Sequence, residues 1–296
     1  MRALTQIANI AVTVFAVSSM LSVGLAYTIG QILGPLRDAR AVFRALVANF
    51  VLVPLLAVGI VRIFPMDPPL ALGLFLLAGS AGAPFLIKLA SAAKSDLALS
   101  AGLLVLLVPA TVAFLPFYVP LAMAHPSLRG VSYAPSNVLK LGLPLLSTLI
   151  LPLLVGAVVK LIAPRWAARL VPIGGKVSTI AVVLVMASTF GANVPEVIAI
   201  VKTGAVVAGV LLVLGAFVGG YLLSRHERSA VLGLGTAQRN VAAAMVLAAR
   251  DFKDPDVLVM VTASTLAGLF VLFPIAWLLS KRPPRVGLPT AEAVPA

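Results

Sequence analysis

Runs of about twenty apolar residues follow one another along almost the whole chain, and no other feature limits the fold so strongly. A helix of that length crosses a roughly 30 Å hydrocarbon layer. Lipid offers no partner for a free N–H or C=O, so only helices and closed barrels can span it, and the alternation of a membrane barrel is absent. Of the 296 residues, 61% are hydrophobic and 10% charged, too little polar surface to coat a water-soluble globule. The chain reads as an all-α polytopic membrane protein.

Nine windows reach spanning length, at approximately 8–28, 42–63, 69–92, 97–123, 137–163, 173–194, 203–224, 229–250 and 256–280. An odd number puts the two ends on opposite sides. With the N-terminus outside, thirteen Lys and Arg fall on the cytoplasmic side and seven on the other. That bias orients the chain N-terminus out and C-terminus in, in the plasma (cytoplasmic or inner) membrane. The first run follows Arg2 and offers a poor cleavage site near Leu25-Ala26-Tyr27, so it is read as a retained span. Residues 283–296 mix proline with small and polar residues and are expected to be a disordered cytoplasmic tail.

The net charge of +13 would suggest nucleic acid in a soluble protein, but here the basic residues lie between spans, where topology accounts for them. Cysteine is absent, and His125 and His226 fall in polar stretches, so no metal site and no cofactor is expected. All nine acids fall at span ends, links or tails. Intramembrane hydrolysis would need a serine–histidine pair, paired aspartates or a metal cluster, and the spans supply none of these. The partners expected are a small molecule and the lipid bilayer, as a monomer or a homodimer.

Two spans are interrupted. In "GSAGAPFLIKLA", Gly79, Gly82 and Pro84 break the third, since glycine has little helical preference and proline removes a donor. In "LGLGTAQRN", Gly233 and Gly235 precede Gln238, Arg239 and Asn240 within the eighth. Irregular backbone and charge at bilayer depth are tolerated only where they line an interior site. The breaks lie about 155 residues apart, and spans one to four align in order with spans six to nine. The fifth span reverses the second set, giving an inverted-topology repeat: residues 1–136 hold the first four spans, and 137–282 the extra span and the second repeat. Paired discontinuous helices in inverted halves point to a secondary transporter with its site where the breaks meet.

The motifs around these breaks resemble the bile acid:sodium symporter family, and the resemblance covers essentially all the spans. "GSAGAPFLIKLASAAKSDLALS" is similar to the family's first broken helix and "GTAQRNVAAAMVLAA" to its second. The resemblance implies a panel domain and a core domain whose crossed broken helices hold the ion sites, with the nine-span form lacking one helix of the ten-span form. It also implies a polar role for Asn49 and Ser100. Departures from the family pattern are concentrated at its sodium positions. Leu86 and Ile87 stand where the family has Ser-Asn, with Lys88 beside them, Leu104 replaces a usual threonine, and Arg239 or Gln238 falls at the family's glutamine. A carboxylate usual in the second break is replaced by Gly235 or Leu234.

Sodium gains from a fixed negative charge in a low-dielectric site, and buried cations repel it. Sodium is therefore disfavoured, and Lys88 and Arg239 are expected to occupy its space or to bind an anionic substrate. The alternative for Lys88 is a side chain that reaches the cytoplasmic surface, about six residues from Lys94. If carriage is coupled to protons, Lys88 is the residue type able to give one up. The function expected is a secondary active carrier of a small organic anion. A sodium-coupled symporter of bile-acid-like acids, and a channel or ligand sensor on a carrier fold, are the other readings. Ser188, Thr189, Asn193, Thr262, Ser264 and Thr265 are further candidates for the cavity wall, and Pro54, Pro109, Pro144 and Pro152 for kinks.

Overall fold

The computed structural model describes residues 2–28, 30, 37–132, 143, 145–192, 204–224, 229–252 and 254–281. The expected boundary at 136–137, Pro144, Asn193, His226 and the tail from 283 lie outside the described residues. Among the described residues the regular structure is entirely helical. The helices are α1 (Arg2–Ala26), α2 (Ala39–Ile63), α3 (Pro68–Gly79), α4 (Leu86–Ala92), α5 (Leu97–Met123), α6 (Leu146–Ile162), α7 (Pro164–Ala192), α8 (Ala205–Leu223), α9 (Ser229–Ala237), α10 (Val241–Asp251) and α11 (Pro255–Ser280). By length and composition, six segments are able to cross a membrane: all of α2, α8 and α11, most of α5, the first part of α7, and α9 with α10 taken together. The apolar stretches in α1, α3 and α6 are shorter.

Three of the acids that the sequence leaves at span ends start helices. Asp38 accepts from the amides of Arg40 and Ala41, Asp96 from Leu99 and Asp254 from Asp256, at 2.9–3.1 Å. Each satisfies donors that have no partner within the helix, and its charge suits the positive end of the dipole. Pro54 and Pro152 do not stop their helices. Each follows a π-helical stretch, Ala48–Leu52 and Leu146–Ile150. A proline has no N–H to give and crowds the carbonyl four residues back, and a local widening of the turn accommodates both. Pro109 lies inside α5, which stays helical through it.

The helices pack in two groups. In one, α1 lies along α6 and α7. In the other, α8 lies against α9 and α11, α11 against α3, and α5 against α3 and α4. Burial separates the groups' roles: 94% of the most apolar window of 229–251 is inside the protein, against 11% of that in Pro164–Leu184. The most polar of these segments is thus the best enclosed, while α7 turns Ile173, Ile180 and Val183 outward, as a lipid-facing helix does. The groups meet where α1 touches α10 and α7 touches α11.

Candidate functional site

Between α3 and α4 the chain leaves the helix at Ser80, whose backbone is extended while its hydroxyl donates back to the Leu76 carbonyl at 2.7 Å. The next residue would leave a buried N–H and C=O without partners. Thr111 of α5 supplies both, since its Oγ1 accepts from the Ala81 N–H at 2.9 Å and donates to the Ala81 carbonyl at 3.0 Å. Gly82 has φ +78°, and a Cβ there would stand 2.7 Å from the Val108 nitrogen of α5. Only glycine meets both conditions. Pro84 and Phe85 form the turn that leads into α4.

The second break differs from the sequence expectation. Gly233 and Gly235 lie inside α9, which continues to Ala237. Their lack of a side chain serves packing: a Cβ would come 3.1 Å from Phe217 at the first and 3.2 Å from the Leu86 Cδ2 at the second. The interruption is confined to Gln238, Arg239 and Asn240. Here the two breaks meet, the Asn240 N–H donating to the Ser80 carbonyl at 2.9 Å. Asn240 also caps α10 by accepting from the Ala243 N–H at 3.1 Å, while its Nδ2 is buried without a partner.

Arg239 is 4% exposed and fills the crossing. Its Nε donates to the Leu77 carbonyl at 3.0 Å and its Nη2 to the Ala78 carbonyl at 2.7 Å. Its Nη1 donates to the Asn49 Oδ1 at 2.8 Å and to the Thr236 carbonyl at 3.0 Å. Leu77 and Ala78 belong to the last turn of α3 and Thr236 to the last turn of α9. Two helix C-termini, each with a partial negative charge, thus converge on one guanidinium. Asn49 reaches it from the π-helical turn of α2, with its own Nδ2 donating to the Ala45 carbonyl at 2.9 Å. All four oxygens are formally neutral, so the cation is solvated by the fold and its charge is not cancelled there.

A cavity of about 310 Å³ opens between the two helix groups, bounded by α1, α7 and both breaks. Gln238 and Arg239 lie in its wall beside the first residues of α10, Val241 and Ala242. Hydroxyls come from Ser19 of α1, from Tyr27 just beyond its end and from Ser178 of α7, and among the described residues no Asp or Glu lines it. On the far side of residues 238–241 lies a second space of about 20 Å³, room for a single water, bordered by Ser264 and Thr265. Lys88 lines the large cavity but is exposed, with its Nζ 5.3 Å from the centre of the Phe85 ring. Of the two basic residues, Arg239 is enclosed at the crossing and Lys88 stands in the wall of the cavity beside it. Two residues into α4, Lys88 has left the enclosed crossing behind, and a long ammonium side chain settles where its charge stays hydrated.

Ser100 is fully buried, yet its hydroxyl donates to the Asp96 carbonyl of its own helix at 2.8 Å, and it lines neither space. Ser188, Thr262 and Thr265 likewise bond carbonyls one turn back, those of Leu184, Leu258 and Val261. Ser264 contacts the Met260 sulfur at 3.7 Å. Thr111, Ser19, Tyr27 and Ser178 were not anticipated. The signal for Thr111 was a single aliphatic hydroxyl amid the apolar stretch 101–123, and that for Ser19 the polar spacing of Ser18, Ser19 and Ser22 on α1.

Among the described residues no three His, Cys, Asp or Glu come together as a metal site would require. No curated protein matches the chain. The family described as the Sodium Bile acid symporter family matches residues 13–200, a stretch that includes the first break with Lys88, Thr111 and Asn49 and ends before Arg239. With well over half its length matched, this multispanning membrane protein belongs to the sodium bile acid symporter family.

Proposed function

We propose that the chain is a secondary active transporter that carries a small organic anion by alternating access, with its sodium coupling lost or weakened at the crossing. The observation that carries this reading is Arg239 in its cage of four neutral oxygens. Carbonyl and amide oxygens at paired helix C-termini are the donor set that a bound alkali cation takes in carriers built on broken helices. A tethered guanidinium filling that cage supplies the charge permanently, and a sodium ion entering beside it meets repulsion in a poorly screened interior.

The anion reading is supported by the cavity on the other face of the same segment. Among the described residues its wall carries Arg239 and Lys88 and no acid, and the N-terminal end of α10 opens on it with its favourable dipole. Alternating access then moves the α1–α6–α7 group against the rest, with nine spans in an inverted repeat, N-terminus outside and C-terminus in the cytoplasm. Family membership favours a second reading, a sodium-coupled symporter of bile-acid-like acids.

Uptake of a labelled carboxylate panel into proteoliposomes separates the readings. Expected is saturable uptake, stimulated by the same anion loaded inside and unchanged when choline replaces sodium. Strict sodium dependence overturns the uncoupled reading in favour of the symporter. Flux without counter-stimulation indicates a channel, and binding without flux a sensor. Uptake driven by a pH gradient identifies protons as the coupling ion.

A further inference from the structure

We propose that the transported anion carries two negative groups, one received at the Gln238–Arg239 end of the cavity and the other at Lys88. The inference rests on reading the cavity as the substrate site and adds the class of substrate. Among the described residues two cationic side chains line this one space, and no carboxylate lines it to offset either of them. Arg239 cannot act alone as a strong anion receptor. Four of its five N–H donors are committed to protein oxygens, leaving one on Nη2, so the two-pronged grip of a free guanidinium on a carboxylate is not available. Gln238, 6% exposed, adds a neutral amide beside it.

Lys88 differs from Arg239 in being uncommitted: the contact its ammonium makes is with the Phe85 ring, and an ammonium held over a ring keeps its donors for another partner. Much of the remaining wall is apolar, with Phe15, Val23, Pro84, Phe85, Ile87 and Val182. An occupant with an apolar body and a charged group at each end meets all three features. A singly charged one leaves either Lys88 or Arg239 without an anionic partner.

The test compares straight-chain α,ω-dicarboxylates with the monocarboxylates of equal length, by calorimetry and thermal shift on the purified protein at constant ionic strength. The dicarboxylate is expected to bind at least about tenfold more tightly at one optimal chain length, the effect of one added charge-assisted hydrogen bond. Lys88→Gln is expected to bring that ratio towards one, and Lys88→Arg to keep it. Because Lys88 is exposed, both variants are expected to fold, which thermal denaturation without ligand verifies. Equal binding of the two series, or a ratio that survives Lys88→Gln, overturns the dianion inference and leaves anion carriage standing. Binding of neither series overturns both.

Discussion

The break between α3 and α4 and the break between α9 and α10 meet at one hydrogen bond, yet they interrupt their helices by opposite means. The first is built from backbone. Gly82 adopts a conformation other residues resist, and neighbours handle its polar groups: Ser80 returns to α3 and Thr111 closes Ala81. The second needs no special backbone. Its helices run up to three polar residues whose side chains do the work, and Arg239 donates to the Ala78 carbonyl and to that of Leu77, which also accepts from the Ser80 N–H. The first break therefore depends on the second, and a change at Arg239 should damage both.

That asymmetry predicts the largest effect. Replacing Arg239 by methionine leaves the carbonyls of Leu77, Ala78 and Thr236 and the Asn49 amide oxygen without its donors, all in a fully enclosed place. Each buried oxygen left without a donor is expected to cost about 1–3 kcal/mol. The loss is to be read as a large fall in thermal stability, with uptake abolished. Arg239→Lys should lie between the two, since an ammonium has three donors and no planar fork. In Arg239→Ala, where the cage is vacated, sodium chloride should raise the melting temperature more than choline chloride does. Equal effects of the two salts would remove the link between this guanidinium and a cation site.

The first break supplies the next two effects. Gly82→Ala places a Cβ 2.7 Å from the backbone nitrogen of Val108 in a residue at φ +78°. Strain of about 1–3 kcal/mol is expected, with the clash added to it, measured as lost stability. Thr111→Val keeps the shape and removes both bonds to Ala81. Leaving a buried amide and carbonyl unpaired costs about 1–3 kcal/mol. Thr111→Ser should recover most of it, because the serine hydroxyl retains the same donor and acceptor.

How much of this was legible in the sequence differs between the breaks for a physical reason. Gly82 and Pro84 sit in a run with no other purpose for them, and the helix does stop there. Arg239 stood out because a charge amid apolar residues must be enclosed, and the structure encloses it. Lys88 carried the same signal with a different outcome. Sequence spacing places it in the span but not on a side of α4, and a lysine's reach lets it leave the interior. Thr111 and Tyr118 were hidden because their roles come from other segments: Thr111 holds Ala81, thirty positions earlier, and the Tyr118 ring fills the space beside Gly79. Gly233 and Gly235 show the ambiguity of glycine itself, since in membrane helices it marks a break and a close contact equally well.

The smallest effect tests that last point. If Gly235 were part of the interruption, as its position before three polar residues suggests, alanine there would extend the helix and disturb the crossing. Inside α9 the expectation is different. Alanine gains about 1 kcal/mol of helical preference over glycine. Its Cβ meets Leu86 Cδ2 at 3.2 Å and Leu103 Cδ1 at 3.7 Å, the outer ends of side chains able to yield. The two terms nearly cancel, so Gly235→Ala should keep its melting temperature and its uptake. Gly233→Ala should be the more harmful of the pair, because its Cβ faces the Phe217 carbonyl at 3.1 Å, and helix backbone yields less readily than a leucine methyl. A reversed order, with Gly235→Ala losing uptake and Gly233→Ala retaining it, would mean that α9 ends earlier and that both breaks rely on glycine after all.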